Sequence, residues 1–262
     1  MIRNHFLHDS AAVRYARERP YVHPTVVRRI APLVGAVERA LDVGCGTGMS
    51  TRALAPLARV VVGVDPSLGM LACAESSAEI RYAVATAEVL PFDADTFDLL
   101  TAGLAFHWFD RARFLPEAAR VLRPAGWMTI YNSWFGGAMR ENPAFAEWLR
   151  SRFLERFPTP PRNREPLSME ELAAHGFEFI DEGRYEHDVR MSPERLVGYL
   201  TTQTNIIAAL EAERTTLAEI GEWLLASVSP MFSGEAATFP FGVSYQVLRN
   251  CAASGMSAAR GT

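Results

Sequence analysis

Ten residues, Ala40-Leu-Asp-Val-Gly-Cys-Gly-Thr-Gly-Met49, join a short apolar strand to a turn with glycine at every second position. Few folds use such a turn. Gly44, Gly46 and Gly48 lack the Cβ atoms that would bar a sharp bend or a ligand lying against the backbone, and the helix expected next offers unpaired N–H groups. Asp42 puts a carboxylate at the mouth of the turn. The dinucleotide pattern G-x-G-x-x-G receives a pyrophosphate, which a neighbouring anion would repel; an acid followed by G-x-G-x-G instead suits a ligand with a cationic part.

Arg59-Val-Val-Val-Gly-Val-Asp65 reads as a central parallel strand ending in an acid, with Asp65 set to bind two ribose hydroxyls. Then come Ala85-Thr-Ala-Glu-Val-Leu-Pro-Phe92, the strand Phe97-Asp-Leu-Leu-Thr-Ala102, and Gly103-Leu-Ala-Phe-His-Trp-Phe-Asp110. With these four ordered motifs, residues 10 to 131 resemble the class I S-adenosylmethionine-dependent methyltransferases, in particular the small-molecule group with the trans-aconitate and ubiquinone-biosynthesis enzymes.

The resemblance implies an α/β fold, a doubly wound, mostly parallel, Rossmann-like seven-stranded sheet with an antiparallel C-terminal strand pair and a helical cap. It also implies S-adenosyl-L-methionine as cofactor. Asp42 and the turn with Gly44, Cys45, Gly46 and Gly48 would hold the methionine part, Asp65 the ribose, and Met70 would pack on the adenine. Thr86 stands where the family commonly has an Asp that meets the adenine amino group, and Ala87 and Glu88 follow with backbone contacts. Pro66 and Leu104 complete the expected cofactor set.

Composition narrows the function. A chain of 262 residues with a 49% hydrophobic share suits one α/β core with a cap, and no apolar run approaches the ~20 residues of a membrane helix. The net charge of -4, with no basic run longer than Arg28-Arg29, argues against nucleic acid as partner. The chain contains no lysine, so internal Schiff-base chemistry is excluded. The amino end lacks the apolar core of a secretory signal, and the three cysteines are scattered, which fits the cytoplasm.

Strands are expected near 40–43, 60–64, 80–84, 97–102 and 127–131, with helices near 49–58, 67–77 and 110–122. Asp110 is expected to cap the last helix, Phe114, Ala118, Val121 and Leu122 to form its apolar stripe, and Arg123-Pro-Ala-Gly126 to stop it. Two antiparallel strands, around 185–189 and 242–248, flank helices from 192 to about 229. The expected organisation is a cap segment at 1–30, a cofactor-binding core at 31–133, an inserted lid at 134–166, the rest of the sheet with substrate-side helices at 167–250, and a disordered tail at 251–262.

Methyl transfer from a sulfonium depends mainly on positioning, which can supply roughly 7–11 kcal/mol of the barrier. His107, just after the fourth strand, is the candidate general base for an acceptor that must lose a proton. Tyr15, Arg19 and Tyr21, in a segment resembling the Tyr-x-x-x-Arg-Pro cover of this group, are candidates for the acceptor side together with Trp108, Tyr131 and Trp134. Arg19 could pair with a carboxylate. No His, Asp or Glu spacing suggests a metal. The reading is methyl transfer to a small-molecule acceptor, with oxygen favoured. The alternatives are C- or N-methylation, a protein that uses the bound cofactor without transfer, and, less well supported, a nicotinamide-dependent oxidoreductase. The oligomeric state is left open.

Overall fold

The computed structural model describes residues 9–160, 167–213 and 215–251. Part of the expected lid, 161–166, and all but the first residue of the expected tail lie outside them. Seven strands, β1 (Val37–Val43), β2 (Ala58–Asp65), β3 (Ile80–Val84), β4 (Phe97–Gly103), β5 (Leu122–Phe135), β6 (Phe177–Met191) and β7 (Ala237–Asn250), form one sheet in the order β3-β2-β1-β4-β5-β7-β6. The first five pair in parallel, and β5, β7 and β6 are antiparallel. This is the doubly wound sheet expected of the sequence, closed by the expected antiparallel pair.

Around the strands lie α1 (Asp9–Glu18), α2 (His23–Val34), α3 (Met49–Leu54), α4 (Leu68–Leu71) and α5 (Arg111–Val121). Then follow α6 (Ala144–Trp148), α7 (Leu154–Arg156), α8 (Met169–Ala174), α9 (Pro193–Leu200), α10 (Thr204–Glu211) and α11 (Leu217–Val228). Side chains close several first turns: Ser192 accepts from Arg195 at α9, and Thr216 and Glu219 cap each other at α11.

Three helices differ from expectation, each for a local reason. α3 stops at Leu54 rather than near 58, because Pro56 has no N–H to return to the Arg52 carbonyl. α4 is a single turn rather than 67–77. Its continuation is lost to a local turn in which the Ser77 N–H donates to the Ile80 carbonyl at 3.1 Å and Ser77 Oγ to Glu79 at 2.9 Å. Asp110 does occupy the cap position of α5, but its side chain makes no capping bond.

At the other end of α5, Arg123-Pro-Ala-Gly126 does not stop the helix; Leu122 already opens β5. Residues 123–126 form an irregularity in that strand, since Phe97 pairs with Leu122 while Leu99 pairs with Trp127, and Ala125 has φ +60°. The helix can give way to a strand without a loop because Asn250 Nδ2 donates to the carbonyls of Ala119, Leu122 and Arg123 at 3.1–3.2 Å. Those bonds take up carbonyls at the helix end, where intrahelical partners run out.

Internal packing divides the chain into two units. The first takes in Val22–Asn132 with the described residues of 163–183 and 244–262; the second takes in those of 1–21 and 133–162 with Arg184–Val243. Each has its own apolar core. In the first, Leu41, Leu100, Phe114, Leu115, Met128 and Leu248 are fully buried. In the second, Phe145, Leu196, Ile206, Leu224 and Phe239 are. Burying each such side chain contributes about 1.5–3 kcal/mol. The stretch 144–156 is helical with a π turn in its middle and buries Phe145, Trp148, Leu149 and Phe153.

Candidate functional site

β1 delivers the chain into the glycine turn, where Gly44, Gly46 and Gly48 have φ of +71°, +54° and +75°. At Gly44 a Cβ would stand 2.5 Å from the Cβ of Ala105, so the turn lies tight against the chain leaving β4. The turn is fastened to β2 by the N–H groups of Gly44 and Cys45, which donate to the Val64 carbonyl at 2.8 and 3.0 Å. Gly46 N–H donates to Asp65 at 2.9 Å. The other Asp65 oxygen accepts from the Ser67 N–H at 2.9 Å. Burial raises the Asp65 pKa, and these two bonds oppose the rise.

Asp42 lies beneath the turn, fully buried, and accepts hydrogen bonds from Ser50 at 2.5 Å, Thr51 at 2.8 Å and Thr101 at 2.9 Å. Burial pushes its pKa up to about 6; the three hydroxyls pull against that and the Asp65 charge adds to it. The Cys45 thiol is pushed up by burial and by both carboxylates, which keeps it protonated and unreactive. Thr47, between the last two glycines, has a buried hydroxyl with no hydrogen-bond partner among the described residues.

Around the turn, Met70 is buried, with its Cε 3.0 Å from where a Gly46 Cβ would stand. Pro66 and Thr86 are exposed and Ala87 is buried. Glu88 accepts the Asp110 N–H at 2.9 Å, tying the loop after β3 to the start of α5. Leu104 holds φ +59° and donates its N–H to the Tyr131 carbonyl at 2.9 Å. A left-handed leucine costs about 1–2 kcal/mol, strain that tends to persist where a site depends on it. His107 and Trp108 are half-buried in the single turn Phe106–Trp108, their rings 4.7 Å apart.

The first unit thus gathers Asp42, the three glycines, Cys45, Asp65, Met70, Leu104 and Tyr131 about adjoining strand ends. Four expected acceptor residues belong to the second unit. There Arg19 stacks over Tyr15 and Tyr199 at 4.8 and 5.4 Å and donates to the Thr202 carbonyl at 3.0 Å. Trp134 packs against Gly242 with Arg184 over its ring, and Tyr21 is exposed.

Sequence reasoning missed His23, whose Nδ1 lies 2.8 Å from Tyr131 Oη. It also missed the hydroxyls that take up Asp42. The adjacent Ser50-Thr51 pair was a usable signal; Thr101 and His23 gave none, being far along the chain from their partners. Among the described residues, no group of three or more His, Cys, Asp or Glu side chains could hold a metal ion, and no helix is long and apolar enough to cross a membrane.

Known proteins point the same way. Residues 41–130 match the family model described as a methyltransferase domain. An uncharacterised methyltransferase of Mycobacterium tuberculosis is 28% identical over 235 residues, covering 88% of this chain and 90% of the relative. A ubiquinone biosynthesis O-methyltransferase of Rhizobium rhizogenes is 33% identical over 135 residues, 49% of this chain and 50% of the other. A solved structure from Anaeromyxobacter dehalogenans, assigned as a type II methyltransferase, superposes with a TM-score of 0.63 at 25% identity, covering 87% of this chain and 95% of that one. With its sheet order, its glycine turn latched to an acid on β2 and these relatives, the chain carries a methyltransferase domain over residues 41–130 and has the fold of the class I S-adenosylmethionine-dependent methyltransferases.

Proposed function

We propose that this methyltransferase acts on a small molecule, and that it methylates an oxygen of a carboxylate or hydroxyl. The observation carrying the cofactor half is at Asp65: each of its oxygens accepts one backbone N–H, which leaves both with capacity for a ribose hydroxyl. The orphaned Thr47 hydroxyl supports the same reading, since a buried unpaired group in a turn fits a ligand that satisfies it. Met70 would meet the adenine, with Pro66, Thr86, Ala87, Glu88 and Leu104 along the cofactor. The turn would hold the methionine part by its backbone, and the Asp42 charge would favour its cationic end through space. Bound there, the cofactor supplies an electrophilic methyl group on a sulfonium.

The small acceptor is supported by a net charge of -4 with no basic stripe. The name of the Rhizobium relative supports oxygen. Tyr15, Arg19, Tyr21, Trp108, Tyr131 and Trp134 are proposed for the acceptor side, 134–166 as a lid, and the cytoplasm as the compartment.

Asp65→Ala is expected to weaken S-adenosylmethionine binding by about 1.5–3 kcal/mol, the scale of hydrogen bonds to a charged group. Calorimetry on the folded variant measures it, and an unchanged Kd removes Asp65 from the cofactor site. His107 is proposed as the base. Where the acceptor must lose a proton, His107→Ala is then expected to lower kcat about 10²–10⁴-fold with cofactor affinity intact; for a carboxylate, already ionised, it should cost little. Release of S-adenosylhomocysteine, followed against fractionated metabolites, supplies the assay; an unaltered kcat rules the base out.

A further inference from the structure

We infer that the second unit carries a binding site of its own, formed by the end of α7 and one face of α10, for a small carboxylic acid with an apolar body. The site does not rest on the cofactor reading, since none of its lining residues is among those proposed for the cofactor or for the acceptor. Arg156, Phe157 and Pro158 do fall in the stretch proposed as a lid.

The space comes from the sequence of α10. Asn205, Ala208, Ala209 and Ala212 recur at the spacing that puts residues on one face of a helix, and the three alanines leave that face recessed. With Arg156, Phe157 and Pro158 at and after the end of α7, this face borders a cavity of about 400 Å³. Small-molecule sites are concave, mostly apolar and roughly 300–1,000 Å³ in volume.

Two polar groups on these walls have bonding capacity left. Arg156 stands over the Trp223 and Phe157 rings at 4.6 and 5.4 Å, and it makes no ion pair or hydrogen bond among the described residues. Contacts with ring faces consume no acceptor, so its N–H donors stay available. Glu219, lowered in pKa by its bonds to Thr216 and Thr215 and lastly by the Arg156 charge, is held in the cap of α11. The second group, Asn205, is only 6% exposed. Its Nδ2 donates to the Phe157 carbonyl at 2.8 Å, which ties the two walls together, and its Oδ1 accepts the Ile206 N–H at 3.0 Å. A side-chain amide has two hydrogens and two lone pairs, so one of each remains.

These walls define the occupant. The guanidinium calls for an anion, and a planar carboxylate can take two parallel N–H bonds from it. The alanine methyls and the Phe157 ring call for an apolar body, which an inorganic anion does not have. Asn205 admits a hydroxyl on that body, which would accept from Nδ2 and donate to Oδ1. A cation would be repelled by Arg156.

Benzoate is the probe, titrated into the full chain with no cofactor present and followed through ¹³C-labelled alanine methyl groups. The Ala208 and Ala209 signals are expected to shift, and benzoate to bind about tenfold more tightly than benzamide, its neutral counterpart of the same shape. Arg156→Gln should erase that preference. Ala208→Leu exchanges one strong helix former for another while filling the cavity, so it should abolish binding of both probes, and the signal it removes identifies Ala208. Methyl signals that stay still, equal affinity for the two probes, a preference that survives in Arg156→Gln, or undiminished binding in Ala208→Leu overturns the inference. Binding of S-adenosylhomocysteine, measured separately, tests the cofactor reading, and neither result decides the other.

Discussion

Gly44→Ala is expected to destabilise the protein by about 2–5 kcal/mol, from about 1–2 for a left-handed alanine and about 1–3 for forcing a methyl into filled space. The second contribution comes from Ala105, whose Cβ would be 2.5 Å away and belongs to a short side chain that cannot swing aside; the Phe109 ring closes the other side at 3.2 Å. Gly35 supplies the control. It has the same φ of +71°, though with ψ −174°, and nothing within 4 Å of where its Cβ would stand, so Gly35→Ala should cost backbone strain alone. Urea unfolding of the two variants separates the contributions, and equal losses would show that the turn is not tightly packed.

Two buried groups are expected to oppose each other in acid. His23 titrates at about 4 when folded against an ordinary 6.5, so the folded protein holds fewer protons than the unfolded chain in that window. Its contribution is complete above pH 6.5 and is lost as pH falls through 4, about 3 kcal/mol in all. Asp42 titrates at about 6 against an ordinary 3.8, so here the folded protein holds more. Its contribution is complete below pH 3.8 and is lost as pH rises through 6, also about 3 kcal/mol. The two slopes nearly cancel between pH 4 and 6. His23→Asn should therefore yield a protein whose stability falls as pH rises across that range, and Asp42→Asn one whose stability rises. Denaturant titrations at pH 4, 5, 6 and 7 measure the slopes, and two variants with the same sign of slope would refute the assignment.

The sheet was legible where the sequence signal is local. Val60-Val61-Val62 before Gly63 and Asp65 can be little but a buried strand, and alternation in 185–189 marks one flanked by solvent. Helix ends were less legible, because Pro56 acts by a hydrogen bond it cannot make and Ser77 by two local ones, neither of which an apolar count weighs. The site was legible as a turn with two acids. Its internal wiring was not: Thr101 reaches Asp42 across 59 residues and Tyr131 meets His23 across 108, separations that only the folded topology closes. Asn250, which pins the end of α5, is hidden in the same way.

The irregular stretch 123–126 also governs which changes in chain length the protein can accept. It lies between a helix end held by Asn250 and a strand whose pairing from Leu99–Trp127 to Gly103–Tyr131 is unbroken. Arg123, Pro124 and Ala125 are exposed, so a residue gained or lost there can be absorbed without disturbing either neighbour. Four residues later the same insertion would invert every following side chain, turning Tyr131 away from Gly103 and moving Ile130 out of the core. In a line of descendants of this chain, length variation should therefore collect in the first turn of β5 and vanish from its centre.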